Sequence, residues 1–227
     1  MPCVVDPATL PRYTAGTGIE VAMKPWDSRL ANLLVRPLRH TRVHPNHLTT
    51  VNFAVGLLAA ASYAVGSPTY ADLGGALYVV SAVLDHADGE LARLAGKTSA
   101  FGAAYDRITD LFVKIALFAA MGYGLRHGPL GRWAAVAGLV AGVAFVSIFL
   151  LRSELSRRRG ACAVAQPGAA GFEIEDILYA IAPLTWASLL LPFVLAAAVG
   201  APLFALFTAR QLWSDRPRRE AEGSIAP

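Results

Sequence analysis

The sequence contains few charged residues and few cysteines. Asp, Glu, Lys and Arg make up 16% of its 227 residues, against about 25% in an average soluble domain. Together with 55% hydrophobic residues and a mean hydropathy of +0.47, this excludes a disordered or collagen-like chain and predicts a membrane-embedded one. Cys3 and Cys162 form neither a C-x-x-C pair nor a disulfide framework. Residues 1–22 lack the apolar core and cleavage site of a secretory signal, so no cleaved peptide is predicted.

Long apolar runs dominate the rest of the chain. A membrane-spanning helix needs roughly 20 residues, and the last run is long enough for two such helices if it divides near Leu191 and Pro192. The pattern therefore predicts an all-α integral membrane protein with six transmembrane helices. The runs are 49–66, 72–94, 102–125, 132–151 and 176–213.

Basic residues indicate the orientation of these helices. Lys and Arg outnumber Asp and Glu by 20 to 16, and most of them flank the ends that share a side with the two termini. In a hydrophobic chain this excess indicates topology and contact with anionic membrane lipids rather than nucleic acid. We therefore expect a multi-pass protein of the cell (inner) membrane with both termini in the cytoplasm.

Three regions follow from this pattern. Residues 1–43 form a cytoplasmic segment in which leucines and arginines between Met23 and His40 alternate at helical spacing. That spacing predicts an amphipathic interfacial helix, although an ordinary amphipathic connector would give the same pattern. Residues 44–213 form the six-helix domain, and residues 214–227 form a charged cytoplasmic tail.

Four aspartates lie within the second and third apolar runs. An ionisable group at membrane depth costs roughly 2.5–3.5 kcal/mol, and buried pairs with arginine would account for two acids at most. Asp85 and Asp88 are three residues apart and share a helix face, while Asp106 and Asp110 form a stripe on the next helix. Four carboxylates meeting near the cytoplasmic surface are suitable ligands for divalent cations, which can clamp the oxygens of a phosphoryl displacement.

The segment LDHADGELARLAGKTSAFGAAYDRITD contains D-x-x-D-G-x-x-A-R, eight further residues, and then G-x-x-x-D-x-x-x-D. It resembles the signature of the CDP-alcohol phosphatidyltransferases. A second stretch, PNHLT at residues 45–49, is similar to the P-N-x-[IL]-T sequence with which the family begins its first span. The resemblance covers about residues 44–213. All eight fixed positions of the signature are filled, by Asp85, Asp88, Gly89, Ala92, Arg93, Gly102, Asp106 and Asp110.

The resemblance implies an enzyme in which an alcohol attacks the CDP-linked phosphate of a donor such as CDP-diacylglycerol and CMP is released. It implies two Mg²⁺ or Mn²⁺ ions per active site, with Asp110 also acting as the general base, and it supports a homodimer. The metal ligands would be Asp85, Asp88, Asp106 and Asp110. The residues that contact CDP would be Pro45, Asn46, Thr49, Gly89, Arg93 and Ser99.

The acceptor alcohol is much less constrained. Arg152 closes the fourth run and could bind a phosphorylated acceptor through its guanidinium, although it could equally be a topology residue. DGELARL, together with GFEIEDILY at residues 171–179, resembles the family members that use inositol phosphate. A di-myo-inositol-phosphate-type synthase using CDP-inositol is therefore an alternative.

Several other features allow two interpretations. A divalent-cation transporter would also place acids in a membrane, but it would distribute them across the bilayer rather than at one end of two helices. His86, inside the motif, is expected to be a hydrogen-bonded packing residue, and His44 and His47 are expected to cap a helix. Ala134, Gly138 and Gly142 form a small-residue stripe that could mediate a homodimer or pack within one chain.

Overall fold

The computed structural model describes residues 33, 35–37, 41, 43–159 and 178–214. Within these residues the chain is helical and contains no strand, as predicted. The predicted interfacial helix falls mostly outside the described residues, as do the tail after Ser214 and residues 171–177. The helices are α1 (Pro45–Val65), α2 (Pro68–Leu94), α3 (Ala100–Gly124), α4 (Arg132–Arg159), α5 (Ile181–Trp186) and α6 (Leu190–Ser214).

Four of the described helical segments are long and apolar enough to cross a membrane. These segments match the predicted first, third, fourth and last spans. The predicted second span is present as α2, but Asp85, Asp88 and three other charged residues make this helix less apolar. The count of six spans therefore stays a prediction. The four segments are Pro45–Val65, Ala100–His127, Arg132–Arg158 and Leu190–Ser214.

The break in the last apolar run differs from the prediction. We expected it near Leu191 and Pro192, but α5 ends at Trp186 and α6 begins at Leu190. Ser188 adopts a left-handed conformation with a φ of 59° and ends the helical path. Pro192 lies in the first turn of α6, where backbone N–H groups have no partner within the helix. Proline is therefore tolerated inside the new helix. The break lies a few residues before Pro192, the residue from which it was predicted.

Capping residues define both ends of α1: histidines at its start and a glycine at its end. At its start, the backbone N–H of Asn46 donates to Nδ1 of His44 at 3.3 Å, and the N–H of His44 donates to Nδ1 of His47 at 3.4 Å. This reciprocal arrangement is a capping box, and it confirms the capping role predicted for both histidines. At the other end, Gly66 has a φ of 80° and reverses the chain into α2.

Helix α1 lies between α2 and α3. It packs along both of them, whereas α2 and α3 have few direct contacts with one another. On its other side α3 packs against α4, and α4 packs against α6. Phe118 of α3 is fully buried where these three helices meet, with its ring 5.1 Å from that of Phe145 and 6.0 Å from that of Phe193. Helices α4 and α6 thus support α3 from the side opposite α1. We refer to these three helices as the α3–α4–α6 group.

The small-residue stripe of α4 packs within the chain. A Cβ atom added to Gly138 would lie 2.8 Å from the Cα atom of Gly122 on α3, and one added to Gly142 would lie 3.1 Å from Cβ of Phe118. The first distance leaves no room for a side chain and the second leaves little, so these glycines allow α3 and α4 to approach closely. The predicted homodimer therefore gains no support from this stripe.

We predict that Gly138→Ala destabilises the protein by about 1–3 kcal/mol, because the added methyl group overpacks the α3–α4 contact. Thermal unfolding of purified protein in one detergent would measure the change. Gly200→Ala is the matched control, since Gly200 of α6 has open space around it. Equal unfolding temperatures for the two variants would contradict this account of the packing.

Candidate active site

The loop between α2 and α3 turns the chain back within five residues. Gly96 has a φ of 63°, a conformation that favours glycine, and the backbone N–H of Lys97 donates to the carbonyl of Ala92 at 3.0 Å. Ser99 then caps α3, accepting a hydrogen bond from the N–H of Gly102 at 3.0 Å. This reversal brings the acids of α2 to the same end of the fold as those of α3.

Helix α1 holds both acids of α2 by hydrogen bonds. The hydroxyl of Thr49 donates to Oδ2 of Asp88 at 2.6 Å, and Nδ2 of Asn52 donates to Oδ1 of Asp85 at 3.1 Å. The donors are three residues apart on α1, and their acceptors are three residues apart on the antiparallel α2. One face of α1 therefore matches one face of α2 in register.

The acids of α3 have different surroundings. Oδ2 of Asp110 accepts a short 2.6 Å hydrogen bond from Nζ of Lys114, one helical turn further along. Oδ1 of Asp106 is buried and has no hydrogen-bond partner among the described residues. Asp106 lies within interaction range of Asp88, and Asp85 is close enough to Asp106 and Asp110 for their charges to repel. The four predicted acids are thus gathered in one region.

These acids do not form a closed ligand cage as they stand. Within the described part of the chain, no three histidine, cysteine or acidic side chains are arranged to hold a metal ion. The donor set nevertheless suits a divalent cation, because Mg²⁺ and Mn²⁺ prefer carboxylate oxygens. The buried oxygen of Asp106 supports this fit, since an unsatisfied buried acceptor costs about 1–3 kcal/mol unless a donor or cation meets it.

An open cavity of about 200 Å³ lies beside the acids. All six residues predicted to contact CDP line it, together with Asp88 and Asp106, whereas Asp85 and Asp110 do not. The cavity lies between α1, the end of α2 and the start of α3, next to the loop that joins α2 to α3. Its lining comprises Pro45, Asn46, Thr49, Asp88, Gly89, Ala92, Arg93, Lys97, Thr98, Ser99, Gly102, Ala103 and Asp106.

Two glycines in this cavity allow side chains of other residues to lie close to the helix backbone. A Cβ atom on Gly89 would lie 3.6 Å from the guanidinium nitrogens of Arg93, so this guanidinium lies over the glycine. Arg93 is held there by an ion pair of 3.2 Å with the buried Glu90. A Cβ atom on Gly102 would lie 3.0 Å from Oδ1 of Asn46, close enough to displace that side chain.

Sequence reasoning missed several residues around this site. Lys97 lines the cavity, and its Nζ donates to the carbonyl of Val43 at 3.2 Å, which ties the segment before α1 to the α2–α3 loop. Asn52 and Lys114 each contact a predicted metal ligand. A weak signal existed for both, because Asn52 follows Thr49 by three residues and Lys114 follows Asp110 by four, each on the same helix face.

Other predicted residues lie elsewhere. Arg152 is half-buried on α4 and does not line the cavity. Its neighbours Arg157 and Arg158 both pair with Glu154 of the same helix, at 2.8 and 2.6 Å. Nδ1 of His86 lies 2.9 Å from the carbonyl oxygen of Ala82, as expected for a hydrogen-bonded packing residue.

Comparison with known proteins gives a match over residues 42–210 to the CDP-alcohol phosphatidyltransferase family. Over 116 residues the chain is 34% identical to a bifunctional IPC transferase and DIPP synthase from Thermococcus kodakarensis, covering 51% of this chain and 25% of that protein. Over 114 residues it is 32% identical to an archaetidylinositol phosphate synthase from Pyrococcus horikoshii, covering 50% of this chain and 57% of that protein.

These relatives agree with the predicted likeness to inositol-phosphate-using members. The chain spans only about a quarter of the Thermococcus kodakarensis protein and just over half of the Pyrococcus horikoshii protein. The family match is broader, extending over well more than half of the chain and including the cavity, all four acids and three of the four apolar spans entirely. It favours an enzyme over a divalent-cation transporter. This chain therefore belongs to the CDP-alcohol phosphatidyltransferase family.

Proposed function

We propose that the protein transfers a substituted phosphate from a CDP-alcohol to an acceptor alcohol and releases CMP. One observation carries this proposal. A single cavity is lined by two of the four acids, Asp88 and Asp106, and by all six residues that the family resemblance assigns to the nucleotide. Nucleotide and reacting phosphates would then lie next to each other, as a displacement at phosphorus requires.

The cavity has suitable groups for the CDP part of the donor. Arg93 and Lys97 supply positive charge for the pyrophosphate, and the guanidinium can bind two phosphate oxygens at once. Because Gly89 has no side chain, the Arg93 guanidinium can lie close to the helix backbone at the edge of the cavity. Asn46 and Pro45 would close the site from the start of α1.

We assign divalent ions, Mg²⁺ or Mn²⁺ and two per site, to Asp85, Asp88, Asp106 and Asp110. When bound, such ions offset the negative charge that develops on the pyrophosphate. Thr49 and Asn52 hold the α2 carboxylates in place, so these ligands are oriented by α1 before any ion arrives.

Asp110 is the proposed general base. As the acceptor oxygen bonds to phosphorus, the bond from phosphorus to the CMP oxygen breaks and the hydroxyl proton passes to the carboxylate. Since Oδ2 of Asp110 is engaged by Lys114, we assign the proton to Oδ1.

Inositol phosphate is the proposed acceptor class, with a CDP-linked lipid such as CDP-diacylglycerol as donor. The name of the Pyrococcus horikoshii relative, an archaetidylinositol phosphate synthase, supports this choice. The names of the bifunctional IPC transferase and DIPP synthase relatives support the alternative, a di-myo-inositol-phosphate-type synthase that uses CDP-inositol. Purified protein supplied with each labelled donor and acceptor in turn would distinguish the two by its product.

We also propose that both termini face the cytoplasm, that the enzyme lies in the cell (inner) membrane among anionic lipids, and that it works as a homodimer. The cavity opens at the end of the fold where α1 begins and α2 ends. Arg93 and Lys97 lie at that end, beside the cavity, which supports a cytoplasmic position for the site.

Asp106→Asn is expected to reduce CMP release by roughly 100-fold or more, because it removes a charged ligand while preserving shape. Asp72→Asn is the matched control, an acid near the start of α2 and remote from the cavity, and it should retain activity. CMP release at saturating donor is the measurement. Full turnover of Asp106→Asn, or of the wild type in excess chelator, would contradict the metal assignment.

Arg93→Lys is expected to raise the KM for the CDP donor by about 10–100-fold, since it keeps the charge but loses a forked, charge-assisted contact. The KM for the acceptor should change much less. Arg107→Lys is the control, because Arg107 lies in the motif but outside the cavity lining. Equal effects on both substrates would show that Arg93 only packs the helices.

Arg152→Ala is expected to raise the KM for a phosphorylated acceptor by about 10–100-fold and to leave the donor KM unchanged. Arg157→Ala serves as the control, since Glu154 already engages Arg157 on the same helix. If Arg152→Ala has no effect and a neutral alcohol proves to be the acceptor, Arg152 is a topology residue.

A further inference from the structure

A buried chain of hydrogen bonds lies behind the acid cluster. The hydroxyl of Ser81 on α2 donates to Oδ1 of Asn52 on α1, and Nδ2 of Asn52 donates to Oδ1 of Asp85 at 3.1 Å. Ser81 and Asn52 are 4% and 6% exposed, and neither lines the cavity. They therefore act on Asp85 from its protein side rather than from the substrate side.

The chemistry of these groups permits one orientation of the amide. An ionised carboxylate only accepts hydrogen bonds, so the NH₂ group of Asn52 must face Asp85. Its carbonyl oxygen then faces Ser81, whose hydroxyl can donate to it. Rotation of the amide by half a turn would place its oxygen against the carboxylate, where the two would repel, and would break the hydrogen bond that the Ser81 hydroxyl now donates to that oxygen.

Close packing holds the Ser81 end of the chain. A Cβ atom on Gly56 would lie 3.2 Å from Oγ of Ser81 and 2.6 Å from Val113 of α3. The absence of a side chain at Gly56 thus allows α1 to approach both neighbouring helices where Ser81 and Asn52 meet. The hydrogen-bond chain is consequently coupled to the packing of three helices.

We propose that Asn52 is a positioning residue for Asp85 and that Ser81 maintains the orientation of the Asn52 amide. Together they keep Asp85 turned towards the acids of α3, so that it can serve as a ligand of a divalent cation. The inference rests on the proposed function in assigning Asp85 to the metal. Outer partners of this kind typically contribute 10–100-fold to metal affinity or activity.

The test uses the full chain in detergent and measures Mn²⁺ binding by electron paramagnetic resonance, without substrate. Asn52→Leu keeps the approximate volume and removes the donor, and it should weaken Mn²⁺ binding by about 10–100-fold. Ser81→Ala should weaken it by a smaller factor. The double variant should bind like Asn52→Leu alone, because Ser81 acts through the amide.

Ser62→Ala is the matched control. Ser62 is a buried hydroxyl on the same helix as Asn52, and it donates to the Leu58 carbonyl of its own helix at 2.8 Å. Its loss should leave Mn²⁺ binding unchanged. In turnover assays, Asn52→Leu should need more Mn²⁺ for half-maximal activity, whereas its donor KM at saturating Mn²⁺ should stay within about twofold of the wild type.

Wild-type Mn²⁺ affinity in Asn52→Leu, or in Ser81→Ala if Asn52→Leu does not fold, would overturn the inference. A full additional loss on combining the two substitutions would also overturn the proposed action of Ser81 through Asn52. If the variants lose Mn²⁺ affinity as expected but the wild type releases CMP from no CDP donor, the proposed function fails while the positioning role stands.

Discussion

Mutual repulsion among four carboxylates is the constraint on which the rest of this site depends. Acids at this depth are costly, and the fold offsets part of that cost from two directions. Thr49 and Asn52 donate to the α2 acids from α1, and Lys114 pairs with Asp110 from within α3. One oxygen of Asp106 still has no partner within the described residues, so the site retains an acceptor that suits a cation.

The position of α1 explains how acids and cavity coexist. Because α1 packs along both α2 and α3 while those helices have few direct contacts, a space remains between their ends. Gly56 permits the close approach of α1, and Gly102 leaves room for the Asn46 side chain beside the cavity. The α3–α4–α6 group, centred on Phe118, supports α3 from the other side. A rigid, tightly packed frame thereby holds an open site.

The residues that we propose for donor and for acceptor recognition lie in different parts of the structure. The cavity that we assign to CDP is built from the motif and the start of α1, which belong to the region matched by the family. Arg152, our candidate for the acceptor, lies outside that cavity on α4. A common donor site combined with a separate acceptor site would allow members of one family to use different alcohols, as the differing names of the relatives indicate.

The sequence by itself predicted the helical membrane class and the grouping of the four acids, because apolar length and the spacing of residues along a helix are local properties, and its family resemblance named six of the residues that line the cavity. It also predicted that His44 and His47 cap a helix, which is α1. Its placement of the last break was wrong, since Pro192 fits a first helical turn. Only the tertiary structure decided that α1 lies between α2 and α3, that Asn52 and Ser81 reach Asp85, and that the Gly138 stripe packs on α3. Those contacts join residues far apart in the chain, and their identity depends on which helices are neighbours, which the spacing within a single helix does not specify.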